Sequence, residues 1–457
     1  MIENELPIAR VNVIETGQSP RRDWITCEIG THLKFSTHSL ASYLFAKWEP
    51  IVFDALLVAA AVEFCDKVKR RPKFGWGREL ELRVPVHDLA CWQSMNVSDA
   101  LHEALNFLTG DRWHVTFVQR RKDLLPVAQG LFELPSQNSQ AVIPFSEGLD
   151  SRAVAGLLAA EMGDGLVRLR LGRKTKDRPK KASGRNYPFT AIPYDVARGA
   201  LSFPEASARS RGFKFAMLSG LGAYLARAQR VIVPESGQGA LGPALVPVGQ
   251  AYEDYRNHPL FTNRMSALLS ALLGQPFRFE FPRLWYTKGE TLKAYAQLPQ
   301  QHDWAKTRSC WQDNRHASVE GRRRQCGICA ACMLRRLSIH AAGLSEGRGT
   351  YVWENLNAQT FEEGITEGAK KIEKVQHDYA IAGTLHLDHL AQLRSSPLNA
   401  SSLRFNVRQL AGVLGMPPAD ADVRMTRLLD QHSKEWKIFT QALAPDSFLR
   451  SWIGSSQ

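Results

Sequence analysis

Residues 141–152 read Ala-Val-Ile-Pro-Phe-Ser-Glu-Gly-Leu-Asp-Ser-Arg, an apolar run that passes through a polar loop into a helical pattern. Ala141–Phe145 is short and apolar, as expected of a buried strand, and Ser151–Glu161 repeats its apolar residues at helical spacing. A loop that enters a helix offers unpaired backbone N–H groups and the positive end of the helix dipole, both suited to an anion. Ser146 and Ser151 add hydroxyl donors, and Gly148 lets a ligand approach the backbone closely. The same residues also suit a ligand-free helix start, because Asp and Ser are favoured caps. On local chemistry alone, both readings of Asp150 and Ser151 stand.

The alternation continues downstream. Leu166–Leu171 reads as a strand, Lys214–Arg227 as a helix, Val231–Val233 as a strand, Phe261–Leu273 as a helix, Phe277–Phe281 as a strand and Lys288–Ala296 as a helix. Strands alternating with helices imply parallel crossover units and an α/β class. Upstream, strand-like Leu80–Val86 and Trp113–Val118 mix with helical Ile51–Arg70 and Asn96–Leu108, which predicts a separate N-terminal α+β domain. Glu133–Gln140, with Pro135, Ser136, Asn138 and Ser139, has linker chemistry. Arg173–Tyr187 is basic and reads as a long loop; beyond Gly349 the pattern is mostly helical, as in Phe361–His377 and Val423–Leu443. The expected layout is therefore 1–135, 141–345 and 350–457.

A chain of 457 residues is expected to form two or three domains, and 44% hydrophobic with 23% charged residues is ordinary globular usage. Asp54 and Glu63 interrupt the longest apolar run, Ile51–Phe64, which falls short of the roughly 20 residues of a membrane span. Met1–Arg10 has no secretory pattern, so a cytoplasmic location is expected. The net charge of +13 favours anionic partners, although the basic runs Lys67–Lys73, Arg168–Lys181 and Arg322–Arg324 are more often solvated loops or faces than sites.

Four of the seven cysteines cluster: Cys310, then Cys326, Cys329 and Cys332. Two tight cysteine turns and one distant thiolate can close a tetrahedron around Zn²⁺, and with all four positions filled the metal is structural. An iron–sulfur cluster also uses thiolates, but ferredoxin-type spacing puts the outlying cysteine downstream, often before a proline. Here it lies upstream, and Met333 follows Cys332. Cys27, Cys65 and Cys91 read as ordinary buried thiols.

Residues 146–151 resemble the Ser-Gly-Gly-x-Asp-Ser pyrophosphate loop of the ATP pyrophosphatases (the PP-loop superfamily), with Glu147 in place of the first glycine. A carboxylate there repels pyrophosphate unless it faces away. The motif order narrows the likeness: this loop, then Thr287-Lys288-Gly289-Glu290, then Thr307-Arg308-Ser309-Cys310, then the three-cysteine run with Leu334 and Arg335, resembles the 7-cyano-7-deazaguanine synthases (QueC) over about residues 141–345. Arg211 precedes a helix where that family has an Arg-Asn pair. Glu235, Ser236 and Gly237 follow a strand where substrate contacts are expected, and Tyr255–Pro259 stands where the family has Tyr-Pro-Asp-Cys-Arg. The flanks, including Trp76–Leu82 and Leu108–Phe117, make the layout similar to the long QueC-like proteins of bacterial antiphage defence operons, the Qat (QatC-like) and CBASS types.

The resemblance implies a parallel-sheet core like that of the adenine nucleotide alpha hydrolases (the HUP class), with ATP, Mg²⁺ and Zn²⁺ as cofactors. It implies an ATP-dependent, adenylate-forming ligase acting on the carboxylate of a 7-deazaguanine acid. Ser146, Glu147, Gly148, Leu149, Asp150, Ser151 and Arg211 would bind the nucleotide. Asp150 and Lys288 would be catalytic, with Arg173 a further candidate cation. The attacking amine is expected from a protein partner of the same operon, or is ammonia as in a nitrile synthase. The rival expectations are a tRNA-modifying enzyme, for which nucleic acid is the less favoured partner, and a non-catalytic zinc-stapled scaffold.

Overall fold

The computed structural model describes residues 6–35, 49–72, 77–121, 139–172, 190–206, 209–249, 251–299, 303–312, 317–369 and 373–454. The chain folds as two compact units, one of Met1–Ser146, Leu158–Val233 and Leu260–Glu280, the other of Glu147–Leu157, Pro234–Pro259 and Phe281–Gln457.

The first unit holds β1 (Ile8–Ile14), β2 (Ile25–Glu28), β3 (Leu33–Phe35), β4 (Glu79–Val86), β5 (Arg112–Gln119), β6 (Ala141–Pro144), β7 (Leu166–Gly172), β8 (Thr190–Val196), β9 (Arg230–Ile232) and β10 (Arg278–Glu280). One sheet runs β2-β1-β4-β5, and every pairing in it is parallel. That differs from the α+β arrangement expected for the N-terminal region. Parallel neighbours need crossovers, and helices Leu89–Gln93 and Met95–Thr109 make the one between β4 and β5.

Helix Pro50–Val68 is buried from Val52 to Asp66, as its nearly unbroken apolar sequence requires. Its acidic residues are each satisfied. Asp54 accepts from the backbone N–H groups of His87 and Asp88, Glu63 pairs with Lys67 and Lys214, and Asp66 pairs with Arg71 and Arg78. The basic run starting at Lys67 is thus partly structural, for Arg71 is buried; Lys73 lies outside the described residues. Arg78, wholly buried, spans Asp66 Oδ1 at 2.6 Å and Asp111 Oδ2 at 2.8 Å. Arg78→Met should cost about 3–5 kcal/mol, because it removes a charge shared by two buried carboxylates. Urea unfolding measures this, and a loss below about 1 kcal/mol would contradict the reading.

The second sheet runs β10-β9-β6-β7-β8-β3, parallel except where β3 meets β8. Helix Arg211–Leu225 packs close to it: a Cβ at Gly222 would lie 2.8 Å from Leu169 Cδ2. The order matters for function. From β6 the chain adds β7 on one side and later β9 on the other, so a topological switch point lies at the carboxyl ends of β6 and β9, where open α/β sheets take ligands. These are the strands that lead into residues 146–151 and into Glu235.

The second unit is mostly helical, with Lys288–Ala296, Ala330–Ala341, Lys374–Gln392, Ala400–Leu414, Pro418–Gln441 and Phe448–Gly454, plus the hairpin β11 (Ser318–Val319) and β12 (Arg322–Arg323). Its core centres on Trp353, Phe361, Trp436, Phe439 and Phe448, and Cys326, Cys329 and Cys332 belong to the same cluster. The helix expected at Phe361–His377 is not found. Phe361 stacks on Trp353 at 4.9 Å, Gly368 takes φ +76°, and the helix begins only at Lys374, behind a capping box of Glu373 and Gln376. Residues 173–187, expected as a basic loop, lie outside the described residues, as do 133–138 of the linker stretch. Cys27 and Cys65 are buried as expected, whereas Cys91 is only half-buried. Among the described residues no helix is long and apolar enough to cross a membrane.

Candidate functional site

The polar loop turns directly into helix Leu149–Met162. Leu149 is buried with Ala153, Leu292, Tyr295 and Ile339, and a Cβ at Gly156 would strike the Tyr295 ring at 2.3 Å, so the start of this helix is pinned by apolar packing against helix Lys288–Ala296. The loop is held too, since Arg308 N–H donates to the Glu147 carbonyl at 2.8 Å. Ser151 is buried with Oγ 3.3 Å from the Gly148 carbonyl, whereas Ser146 and Glu147 are exposed. The residue that departs from the resembled motif is thus an exposed one.

Lys288 is the first residue of its helix. Thr287 caps that helix, accepting from Glu290 N–H while the Glu290 carboxylate accepts from Thr287 N–H. The Lys288 backbone N–H donates to Gln238 Oε1 at 2.8 Å, and Gln238 Nε2 lies 2.7 Å from His432 Nδ1. The second ring nitrogen of His432 is 2.9 Å from the Leu387 carbonyl. Burial pushes His432 down to about 4, so the ring is neutral. Only one proton placement satisfies all three contacts: Nε2–H donates to Leu387 and Nδ1 accepts from Gln238. A fixed imidazole thus orients the amide that receives the backbone of Lys288.

The Lys288 ammonium, 7% exposed, pairs with the Asp150 carboxylate. Beside them stands Glu235, which accepts from Asn257 Nδ2 at 3.1 Å. Burial and then the negative charge of Asp150 push the Glu235 carboxyl up to about 8, against the opposing pull of Lys288. The result is a cation, a carboxylate and a carboxyl group able to exchange a proton near neutral pH. Asn257 comes from the Tyr255–Pro259 segment, which is held by an Arg256–Asp254 pair (Nε to Oδ2 2.6 Å) and by buried His258, edge-on to Tyr255 with ring centres 5.2 Å apart.

Glu235→Gln tests this arrangement. The folded carboxyl keeps its proton to about 8 whereas an ordinary one releases it near 4.5, so the unfolded chain sheds the proton first. Wild-type stability therefore falls as pH rises through that window, and the glutamine variant is spared the loss. The melting temperature of the variant should match wild type at pH 5 and exceed it at pH 9. Parallel curves across that range would contradict the assignment.

Asp150, Lys288 and Glu235 thus come together from three separated segments. Glu235 was legible only as a residue after a strand, and nothing in the sequence marked Gln238 or His432. Arg211 begins helix Arg211–Leu225 in the first unit, with its guanidinium 5.3 Å from the Phe215 ring; Arg173 lies outside the described residues.

The four clustered cysteines form a second centre. Their Sγ atoms all lie within 4.8 Å of one another. Cys326 Sγ and Cys332 Sγ are 3.7 Å apart, against about 3.8 Å for the edge of a tetrahedron with Zn–S bonds of ~2.3 Å. Backbone N–H groups of Cys326 and Cys329 point at Cys310 Sγ (3.2 Å) and Cys326 Sγ (3.3 Å), stabilising negative sulfur. Hydrogen bonds from the other three thiols hold Cys310 well below the usual thiol range, while burial pushes Cys332 well above it. Four thiolates this close repel one another; a divalent ion would let all four sulfurs ionise, and the donor set fits one. Gln325 Oε1 accepts from Ser309 N–H at 2.8 Å and Arg335 donates to Thr307 Oγ1 at 2.7 Å, which together steady the segment that delivers Cys310.

Residues 244–343 match the family described as queuosine biosynthesis protein QueC. The matched stretch contains Tyr255–Pro259, Lys288 and all four clustered cysteines. No curated protein matches the chain.

Proposed function

We propose that this chain is a QueC-like ATP-dependent ligase that adenylates the carboxylate of a 7-deazaguanine acid and passes the acyl group to an amine. The observation that carries the reading is the buried Lys288–Asp150 pair in the first turn of the helix that follows the loop, with Lys288 inside the QueC-matched stretch. In this reading the backbone of residues 146–151 and the hydroxyls of Ser146 and Ser151 receive the β- and γ-phosphates. Mg²⁺, when bound, neutralises charge on the leaving pyrophosphate. A substrate carboxylate oxygen attacks the α-phosphorus, the bond to the bridging oxygen breaks, and pyrophosphate leaves. Lys288, anchored through its backbone to Gln238, places its ammonium where charge builds up on the α-phosphate, with Asp150 fixing its direction. The amine nitrogen then attacks the acyl carbon and AMP departs, and the ionised form of Glu235, which gains population as pH approaches about 8, is the group placed to take up the proton the amine sheds. Zn²⁺ in the four-cysteine centre is structural.

The wider reading is a cytoplasmic antiphage-defence ligase with its core in 141–345, its flanking regions 1–135 and 350–457 serving a co-encoded protein partner that offers the amine. Incubation with labelled ATP and 7-carboxy-7-deazaguanine, with and without co-encoded proteins, tests it. AMP with a matching mass increment on a partner protein is expected. AMP with only free amide or nitrile in the presence of ammonia would replace the protein acceptor with ammonia. No AMP with any acid would leave a metal-stapled scaffold.

A further inference from the structure

Helix Lys288–Ala296 carries a second polar feature. Glu290 and Lys293 on this helix, and Gln297 just past its end, line a cleft of about 320 Å³ together with Gln431 and Glu435. Glu435 is the unusual member. It is only 6% exposed, yet it is a carboxylate on a cleft wall. Its Oε1 accepts from Thr287 Oγ1 at 2.6 Å and from Gln431 Nε2 at 2.9 Å, while its buried Oε2 has no hydrogen-bond partner. Such a group costs free energy unless a ligand completes it. The space beside it is kept by Gly289, where a Cβ would come within 3.3 Å of both Glu435 oxygens.

The surroundings specify what that ligand is. Glu290 is paired with Arg427 at 2.8 Å, which leaves Glu435 and Lys293 as the other charged side chains on the cleft and Glu435 Oε2 as an acceptor without a donor. An acceptor oxygen without a donor calls for a ligand that brings N–H groups rather than an anion, and the volume accepts an alkyl chain behind them. We propose that this cleft binds a primary ammonium group, which donates to Glu435 Oε2. Burial pushes the Glu435 carboxyl above its usual range, with Glu290 adding to the shift and Arg427 opposing it. Gly289 directly follows Lys288, so in the ligase reading, on which this last step alone rests, the cleft stores the amine one residue along the chain from the lysine.

Calorimetric titration of the full chain, with neither ATP nor acid present, tests the site. Methylammonium and butylammonium chloride should bind, and tetramethylammonium, which has charge but no N–H, should not. Glu435→Gln keeps an oxygen for Thr287 and Gln431 but replaces the free acceptor by a donor, and should weaken methylammonium about tenfold or more. Lys293→Ala, which removes a like charge, should tighten it. Ammonium chloride binding as well as butylammonium assigns the site to free ammonium; tighter butylammonium assigns it to an alkyl amine. Equal binding of methylammonium and tetramethylammonium overturns the proposal, as does a folded Glu435→Gln protein that binds like wild type. Should that variant fail to fold, the tetramethylammonium comparison and Lys293→Ala still decide. Because nucleotide is absent, failure here leaves the ligase reading intact, and failure of AMP formation leaves this site intact.

Discussion

Lys288→Met is expected to lower AMP formation from ATP and the deazaguanine acid by about 10²- to 10³-fold, the usual cost of losing one preorganised charge at a reacting centre. The side chain is 7% exposed, and its ammonium is the charge that offsets both Asp150 and Glu235. Methionine preserves much of the length and apolar bulk of the lysine stem, so the packing of the helix start against Leu149 and Tyr295 persists. What disappears is the cation. Asp150 is then left as a partly buried carboxylate facing a second acidic group. Arginine should rescue poorly, because its planar fork does not reproduce a compact ammonium. Single-turnover AMP release, with circular dichroism to verify folding, makes the measurement. Full turnover by a folded methionine variant would remove Lys288 from the chemistry.

Cys332→Ser should cost more in stability than any other single change considered. Cys332 is fully buried, and it lies in the core cluster with Trp353, Phe361 and Trp436. A structural zinc ion contributes on the order of 10 kcal/mol in small metal-dependent folds, and a serine oxygen is a poor fourth ligand among thiolates. The prediction is one Zn²⁺ per chain by elemental analysis and loss of cooperative unfolding in the variant. A strong chelator should do the same to wild type. Cys310→Ser should be milder, because Cys310 is only half-buried and reaches the centre from a separate segment. Iron in place of zinc, or unchanged melting after metal removal, would refute the zinc assignment.

The legible parts of the fold were those set by local chemistry. Helix Lys288–Ala296 begins where Thr287 and Glu290 spell a capping box, and β6 is a run of buried residues ended by Pro144. The four cysteines announced their own proximity by spacing. Phe361–His377 was misread because the apolar periodicity there serves an aromatic cluster of distant partners: Phe361 meets Phe448 with ring centres 5.7 Å apart and Trp452 at the same distance. The parallel register of β1 on β4 joins residues about seventy positions apart and leaves no local trace. At the candidate site, Asp150 and Lys288 could be named from motif order, but their contact spans 138 positions and needed the fold. Gln238 and His432 were invisible for a different reason. They bond to each other and to backbone groups of Lys288 and Leu387, so no pattern of reactive residue types picks them out.

The imidazole of His432 gives the helical tail a meaning that its lack of reactive groups conceals. Through Gln238 it props up the peptide amide on which Lys288 hangs. A gene fragment ending near residue 345 would encode every signature residue, from Ser146 to Cys332, and yet deprive the lysine of its strut. The last hundred residues are part of the machine's frame.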